Sequence, residues 1–276
     1  MDKSKLTYAI WPWGTAKREQ MELAAKEVTE IGYKTFESVK AAIYAYDLDL
    51  AAYKEVLVKY GLKPVSFYFH LPKKGEEETG LFANYEKELD FVAKLDVKLV
   101  TLQGTSGHPE GKLSESDLAF ELETLCKFAL KAKEFGITSN LHPHNNTWVM
   151  YENEIDYMMQ NSSPGLLFFA PDTAHLVRGG CDPAAVIERY AKRVKFTHFK
   201  DIKYGTTLKS DGVSAAGMEV YSNFLELGTG NVDFRKIFDI LKSAGYDGYL
   251  CAELDKAPVS NAASAKVNYD YLINNY

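Results

Sequence analysis

Phe135-Gly-Ile-Thr-Ser-Asn-Leu-His-Pro-His144 carries the pattern on which the fold turns. A helical stretch opens near Ser114, where Ser114-Glu-Ser-Asp117 offers capping chemistry, and Gly136 closes it after Phe135. Ile137 to His142 then reads as a short strand, with two histidines at its end. Side chains two apart on a strand face the same side, so His142 and His144 can point into one pocket.

The same rhythm extends in both directions. Strands are expected at Leu6–Ile10, Tyr33–Glu37, Pro64–Phe69, Val97–Gln103, Ile137–His142, Leu166–Ala170, Val194–His198 and Tyr249–Glu253. Helices are expected over about 16–31, 48–60, 82–95, 114–135, 152–160, from Asp182-Pro183 onward, 233–244 and 262–274. Gly32, Gly61 and Gly245 close helices as Gly136 does, and Asp182-Pro183 is an N-cap followed by proline at the first helical position. Strict alternation over 276 residues predicts one α/β domain, a (β/α)8 barrel spanning 1–276. A doubly wound sheet rarely needs eight units, and no GxGxxG follows the first strand.

All six histidines follow or close a strand-like run, and none lies in a stretch that reads as helix. Strand ends are where a barrel keeps its active site. In order they offer Trp11 and Trp13, Glu37, His70, Gln103, His142 and His144, Asp172 and His175, His198 and Lys200, and Glu253. Asp172, His198 and Glu253 supply two carboxylates and an imidazole, a set suited to Mn²⁺, Co²⁺, Fe²⁺, Ni²⁺ or Zn²⁺ rather than Ca²⁺. Asp172 in Pro-Asp-Thr is equally open as a turn residue. His144 and His175 are the acid/base candidates. His142 is open as a fourth ligand or a substrate contact. Lys200 either stabilises an oxyanion or pairs with Asp201 or Glu253. Trp11 and Trp13 either form a wall for a sugar ring or plug the barrel mouth. Glu37, His70 and Gln103 are expected to reach substrate, His108 to sit in a surface loop, and Gly228-Thr-Gly230 to turn tightly before a helix.

Composition narrows the partners. A net charge of −6 with interspersed signs argues against a nucleic-acid partner. No run approaches the roughly 18–20 apolar residues of a membrane span. Three cysteines without a CxxC, and a beginning without an apolar leader, lead us to expect a reduced, cytoplasmic protein. A homo-oligomer stays open. The longest connection, Asp201 to Asn231, is expected to cover the substrate.

Five segments resemble the xylose-isomerase-like TIM barrels of sugar isomerases, epimerases and dehydratases. They are Leu141-His-Pro-His-Asn-Asn-Thr147, Pro171-Asp-Thr-Ala-His175, Thr197-His-Phe-Lys-Asp201, Leu227-Gly-Thr-Gly-Asn-Val-Asp-Phe234 and Ala252-Glu-Leu-Asp255. The nearest branch is the inosose (2-keto-myo-inositol) dehydratases, which Glu154-Ile-Asp156 and Lys256-Ala-Pro258 also resemble. The likeness runs from about residue 135 to the end, with Gly32-Tyr-Lys-Thr-Phe-Glu37 matching before it. The resemblance implies one divalent ion, often Mn²⁺ or Co²⁺ with Zn²⁺, Fe²⁺, Ni²⁺ or Mg²⁺ also open, held by Asp172, His198 and Glu253. The fourth ligand is usually a glutamate, and His142 stands in its place. The paired-glutamate mechanism of the epimerases therefore lacks one partner here.

Residues and resemblance together lead us to expect a metal-dependent lyase acting on a keto sugar or keto-inositol through an enediolate, with His144 or Glu253 as base and His175 as acid. An isomerase or epimerase shares the first step. β-Elimination from a 3-keto glycoside, a multi-metal phosphoesterase and a non-catalytic sugar-binding barrel are the alternatives.

Overall fold

Eight short parallel strands form the centre of the protein, and helices return the chain between them. The computed structural model describes residues 3–72, 75–76, 78–203 and 224–276. The strands are β1 (Leu6–Ala9), β2 (Thr35–Val39), β3 (Lys63–His70), β4 (Leu99–Gln103), β5 (Thr138–His142), β6 (Leu167–Phe169), β7 (His198–Phe199), β8 (Asp201–Ile202), β9 (Phe224–Leu225) and β10 (Leu250–Ala252). The helices are α1 (Arg18–Ile31), α2 (Lys40–Ala45), α3 (Leu50–Tyr60), α4 (Glu78–Lys94), α5 (Glu115–Glu134), α6 (Glu152–Asn161), α7 (Thr173–Arg178), α8 (Pro183–Tyr190), α9 (Phe234–Ser243) and α10 (Asn261–Asn275).

The sheet runs β6-β5-β4-β3-β2-β1-β10-β7, and every pairing in it is parallel. Two single parallel bridges, Phe169↔Val194 and Asp172↔His198, draw its ends together into a barrel. β8 and β9 pair antiparallel outside it. Alternation along β3 shows how the strands are used. Phe67 and Phe69 face outward onto Tyr53, Phe91, Tyr85 and Phe128 of the helical layer, directly or through one another. Ser66 and Tyr68 face inward, toward Glu37 and toward the His142 and His198 rings. The outer layer holds the large apolar core, while Ala9, Val65, Ala170, Phe196 and Cys251 make a smaller cluster of their own. Strands buried on both faces in this way read as apolar runs.

The helix ends follow from local chemistry. Ser114 and Asp117 form a reciprocal cap on α5, and Asp182 accepts from the Ala184 and Ala185 amides ahead of α8. Gly136 leaves α5 at φ 71°, a conformation open to glycine at little cost, so the chain turns directly into β5. At Gly32, with φ 124°, an added Cβ would also lie 2.7 Å from the Tyr269 hydroxyl.

Three expectations are corrected. The seventh strand begins at His198 rather than Val194, because only Val194 and His198 meet the short β6 side of the barrel. α2 and α7 are helices that the apolar rhythm did not reveal, each only six residues long. His175 consequently lies in a helix, whose first turn is capped by the Asp172 carboxylate. Of the expected lid, residues 204–223 lie outside the described residues. Among the described residues, no helix is long and apolar enough to cross a membrane.

Candidate active site

Each of the four strand ends β5, β6, β7 and β10 delivers two functional side chains, and they sort into two layers. The lower layer is His142, Asp172, His198 and Glu253, each offering a ligand atom within 4.8 Å of the others. The upper layer, two or three residues further along each strand end, is His144, His175, Lys200 and Asp255. Period-two geometry places three of the pairs, His142/His144, His198/Lys200 and Glu253/Asp255, since residues i and i+2 face the same way; His175 joins the upper layer from the first turn of α7.

The lower layer is almost wholly removed from water, with Glu253 the most exposed at 2 %. Buried polar atoms ordinarily find hydrogen-bond partners. Here both ring nitrogens of His142, Asp172 Oδ2, His198 Nδ1 and Glu253 Oε2 have none. His198 Nδ1 and Glu253 Oε2 lie 2.8 Å apart without hydrogen-bond geometry. Four residues, each with an unsatisfied lone pair in one place, fit a divalent ion with mixed N/O ligands. His198 Nε2 is held by Glu37 Oε2, and the other Glu37 oxygen accepts from Ser66 Oγ at 2.7 Å.

The upper layer is organised by a buried cation. Lys200 Nζ lies 2.6 Å from Glu253 Oε1, 2.6 Å from Asp255 Oδ2, 3.4 Å from Asp172 Oδ2 and 3.3 Å from His175 Nε2. Burial works against its charge, but the three carboxylates win and hold the ammonium well above its usual pKa. Burial would raise Glu253, yet Lys200 and His198 hold it well below the usual carboxylate range. Asp255 goes the other way, raised by burial against the pull of Lys200. His144, His175 and Asp255 also approach closely enough to bind an ion, but Lys200 already supplies the cation there.

The two upper imidazoles lie against each other, tilted by 38° with centroids 3.8 Å apart. The His144 Nδ1–H donates to the Asn145 carbonyl at 2.7 Å, which leaves the ring's lone pair on Nε2. Desolvation, with the charge of Lys200, lowers His144 to about 3, so the ring is neutral at physiological pH. His175 Nδ1 accepts from the Asn145 amide at 3.2 Å, and burial holds this ring neutral too. Phe224, where the long β7–α9 connection returns, packs 5.0 Å from His175, and Lys200 lies 4.7 Å over its ring.

Above Glu253 opens a cavity of about 390 Å³. Trp11, Val39, Tyr68, His70, Gln103 and Ser106 line it from the β1–β4 half, and His144, Asn145, Glu253 and Asp255 from the other. Trp11 contacts Tyr68 and the His198 ring. Gln103 accepts from the Tyr68 hydroxyl at 2.8 Å, and His70 is exposed at the rim.

Four expectations change. Trp13 does not line this cavity; its indole donates to Glu27 at 2.6 Å and its ring packs on Tyr8. Glu37 does not line it either, because it is fully buried behind His198. His108 is no surface residue: it is buried, with Nε2 2.6 Å from Glu154 and Nδ1 2.7 Å from the Pro109 carbonyl. Lys200 pairs with Glu253 rather than Asp201, whose carboxylate instead accepts from the Gly228, Gly230, Ile202 and Val232 amides. The glycine turn therefore spends its amides on an internal carboxylate. Sequence reasoning missed Asp255, Tyr68, Ser106 and Asn145 as site residues. Asp255 was within reach, because it stands two residues past Glu253 just as His144 follows His142.

A parallel barrel with such a cluster of imidazoles and carboxylates at its strand ends defines the class: a TIM barrel with a candidate metal centre. The chain belongs to the xylose isomerase-like TIM barrel family, whose model matches residues 25–274. It is 27 % identical over 280 residues to the inosose dehydratase of Clostridium tetani, covering 93 % of this chain and 92 % of that protein. It is 30 % identical over 258 residues to the inosose dehydratase of Clostridium beijerinckii, covering 87 % and 81 %. The solved structure of the IOLI protein with a zinc atom superposes with a TM-score of 0.76 at 14 % identity, covering 98 % of this chain and 97 % of that one.

Proposed function

We propose that the protein is a divalent-metal-dependent dehydratase of a cyclic polyhydroxy ketone, with a keto-inositol as substrate. The observation that carries this reading is the pair of stacked layers, a ligand set directly beneath a set of proton carriers. The inosose dehydratase relatives and the zinc in the IOLI structure support it.

His142, Asp172, His198 and Glu253 would hold the ion, which would polarise a carbonyl and a neighbouring hydroxyl and acidify the adjacent C–H. His144 takes that proton on Nε2, since Asn145 keeps Nδ1 protonated. Glu253 is committed elsewhere, with Oε1 held by Lys200 and Oε2 turned to the proposed ligand set. The departing hydroxyl takes its proton from the upper layer. Asp255 lines the cavity and is placed for this, whereas His175 does not line it. Lys200 keeps the carboxylates apart from the developing charge. Trp11 and Tyr68 form an aromatic wall on the β1–β4 side of the cavity.

An epimerase reading is less well served. The lower layer contains one glutamate, and the place of a second is taken by the His142 imidazole. Incubation with 2-keto-myo-inositol and Mn²⁺, followed by mass spectrometry, should show loss of water. If the ketone neither loses water nor exchanges its α-hydrogen with any of Mn²⁺, Co²⁺, Zn²⁺ or Mg²⁺, the reading is wrong.

A further inference from the structure

Glu37 stands apart from the rest of the site. It is fully buried on β2, does not line the cavity above Glu253 and is not a member of the lower layer, yet both its oxygens are committed. Oε2 meets His198 Nε2 and Oε1 accepts from Ser66 Oγ at 2.7 Å. Ser66 in turn lies 3.2 Å from Thr101 Oγ1. The chain β7–β2–β3–β4 thus crosses the barrel interior as one line of polar contacts.

A carboxylate in a dry interior is costly unless charge and hydrogen bonds answer it. Its geometric consequence falls on His198. An imidazole that ligates a metal through one nitrogen carries its ring proton on the other, and the Glu37 carboxylate claims that proton at Nε2. Nδ1 is then the nitrogen turned toward the lower layer, 2.8 Å from Glu253 Oε2 and without a hydrogen-bond partner. Tyr68, stacked at 6.1 Å, with Trp11 and Phe196 edge-on at 5.7 and 5.5 Å, fixes the plane of the ring. The aromatics set the plane, but a half-turn about Cβ–Cγ would keep that plane and put Cε1 where Nε2 stands; the Glu37 contact holds Nε2 in place.

We infer that Glu37 is a positioning residue, which sets the tautomer and orientation of His198 and through them the strength with which the four-residue set holds its ion. This rests on the reading of that set as a metal site. Carboxylates behind ligating histidines commonly change metal affinity about 10- to 100-fold when altered.

The test is titration of the metal-free protein with Mn²⁺ against a fluorescent chelator, together with visible spectra after Co²⁺ loading. Glu37→Gln keeps the size and loses the charge. Glu37→Asp keeps the charge but draws the carboxylate away from His198. Both should weaken Mn²⁺ binding by about 10- to 100-fold and shift the Co²⁺ spectrum. Ser66→Ala, one bond further out and mild enough to fold if the Glu37 variants do not, should weaken it by less. Wild-type affinity and spectrum in Glu37→Asp would reduce Glu37 to a distant charge and overturn the inference. So would a Glu37→Gln protein with unchanged Mn²⁺ affinity and a raised KM for ketone, which would make Glu37 a substrate contact. A wild-type protein that takes up neither Mn²⁺ nor Co²⁺ would instead sink the metal reading itself.

Discussion

Lys200 Nζ lies 2.6 Å from Glu253 Oε1, while the other oxygen of that carboxylate is the one left unsatisfied beside His198. One side chain thus joins the two layers, with Oε1 anchored above and Oε2 presented below. The anchor is fully buried and serves Asp255 as well. Lys200→Met would leave three carboxylates, the buried Asp172 and Glu253 and the half-buried Asp255, without their cation. Breaking a buried ion pair costs about 3–5 kcal/mol. Chemical denaturation of the metal-free protein should show a loss of that order; a change below about 1 kcal/mol, the usual worth of a surface pair, would mean that water or another cation compensates.

Asp172 does two jobs, and substitution can separate them. Oδ1 caps α7 by accepting the His175 amide at 2.9 Å, whereas Oδ2 belongs to the unsatisfied set. Asp172→Asn can keep the cap and loses the charge, so it should abolish tight Mn²⁺ binding with little change in melting temperature. Asp172→Ala should lose both, with about 0.5–2 kcal/mol of stability gone with the cap. Retention of one tightly bound ion per chain in Asp172→Asn would remove this residue from the ligand set.

His108 and Glu154 form a buried pair that joins the β4–α5 loop to the start of α6. The second Glu154 oxygen accepts from the Met150 and Tyr151 amides, both at 2.9 Å. Burial would lower His108, but Glu154 and the Pro109 carbonyl outweigh it and the histidine is raised. The sign follows: a histidine raised on folding contributes its full stability below its unfolded pKa, near 6.5, and loses it as pH climbs through the folded value. Wild-type and His108→Gln proteins should therefore differ most in melting temperature near pH 6 and converge toward pH 9. A gap that widens with pH would contradict the pairing.

The barrel was legible because its period is simple. Glycines after helices and capping residues before them marked nearly every boundary, as at Gly136 and Asp182. The lower layer was legible for the same reason: strand ends are points that a sequence can locate. Direction was harder to read. Trp13 and Glu37 read as strand-end residues like their neighbours, but a 3-10 turn at Trp11–Trp13 sends the indole toward Glu27, and β2 runs on past Glu37 to Val39, so that Glu37 stays inside the barrel. His108 was misplaced because its partner Glu154 lies 46 residues on, and no local pattern links the two. α7 is too short for its period to declare itself.

His144 gives the most discriminating experiment, since in the proposed reading its layer transfers protons rather than ligates the ion. It lines the cavity, its Nδ1 proton is committed to the Asn145 carbonyl, and its ring lies against His175. The lone pair is therefore on Nε2, the form a base requires. His142, one pleat below, has no hydrogen-bond partner for either ring nitrogen and belongs to the ligand set. His144→Asn should keep its Mn²⁺ affinity and lose turnover of a keto-inositol by about 10²- to 10⁴-fold. His142→Ala should show the reverse order of effects: metal affinity falls first, and excess Mn²⁺ restores part of the rate. Wash-in of deuterium at the carbon beside the carbonyl reads the base step without the elimination that follows. In His144→Asn this exchange should fall with turnover. If the exchange continues at the wild-type rate while loss of water stops, His144 acts on the departing hydroxyl instead, and the base must be sought among Glu253 and Asp255, the other titratable groups that line the cavity from that half.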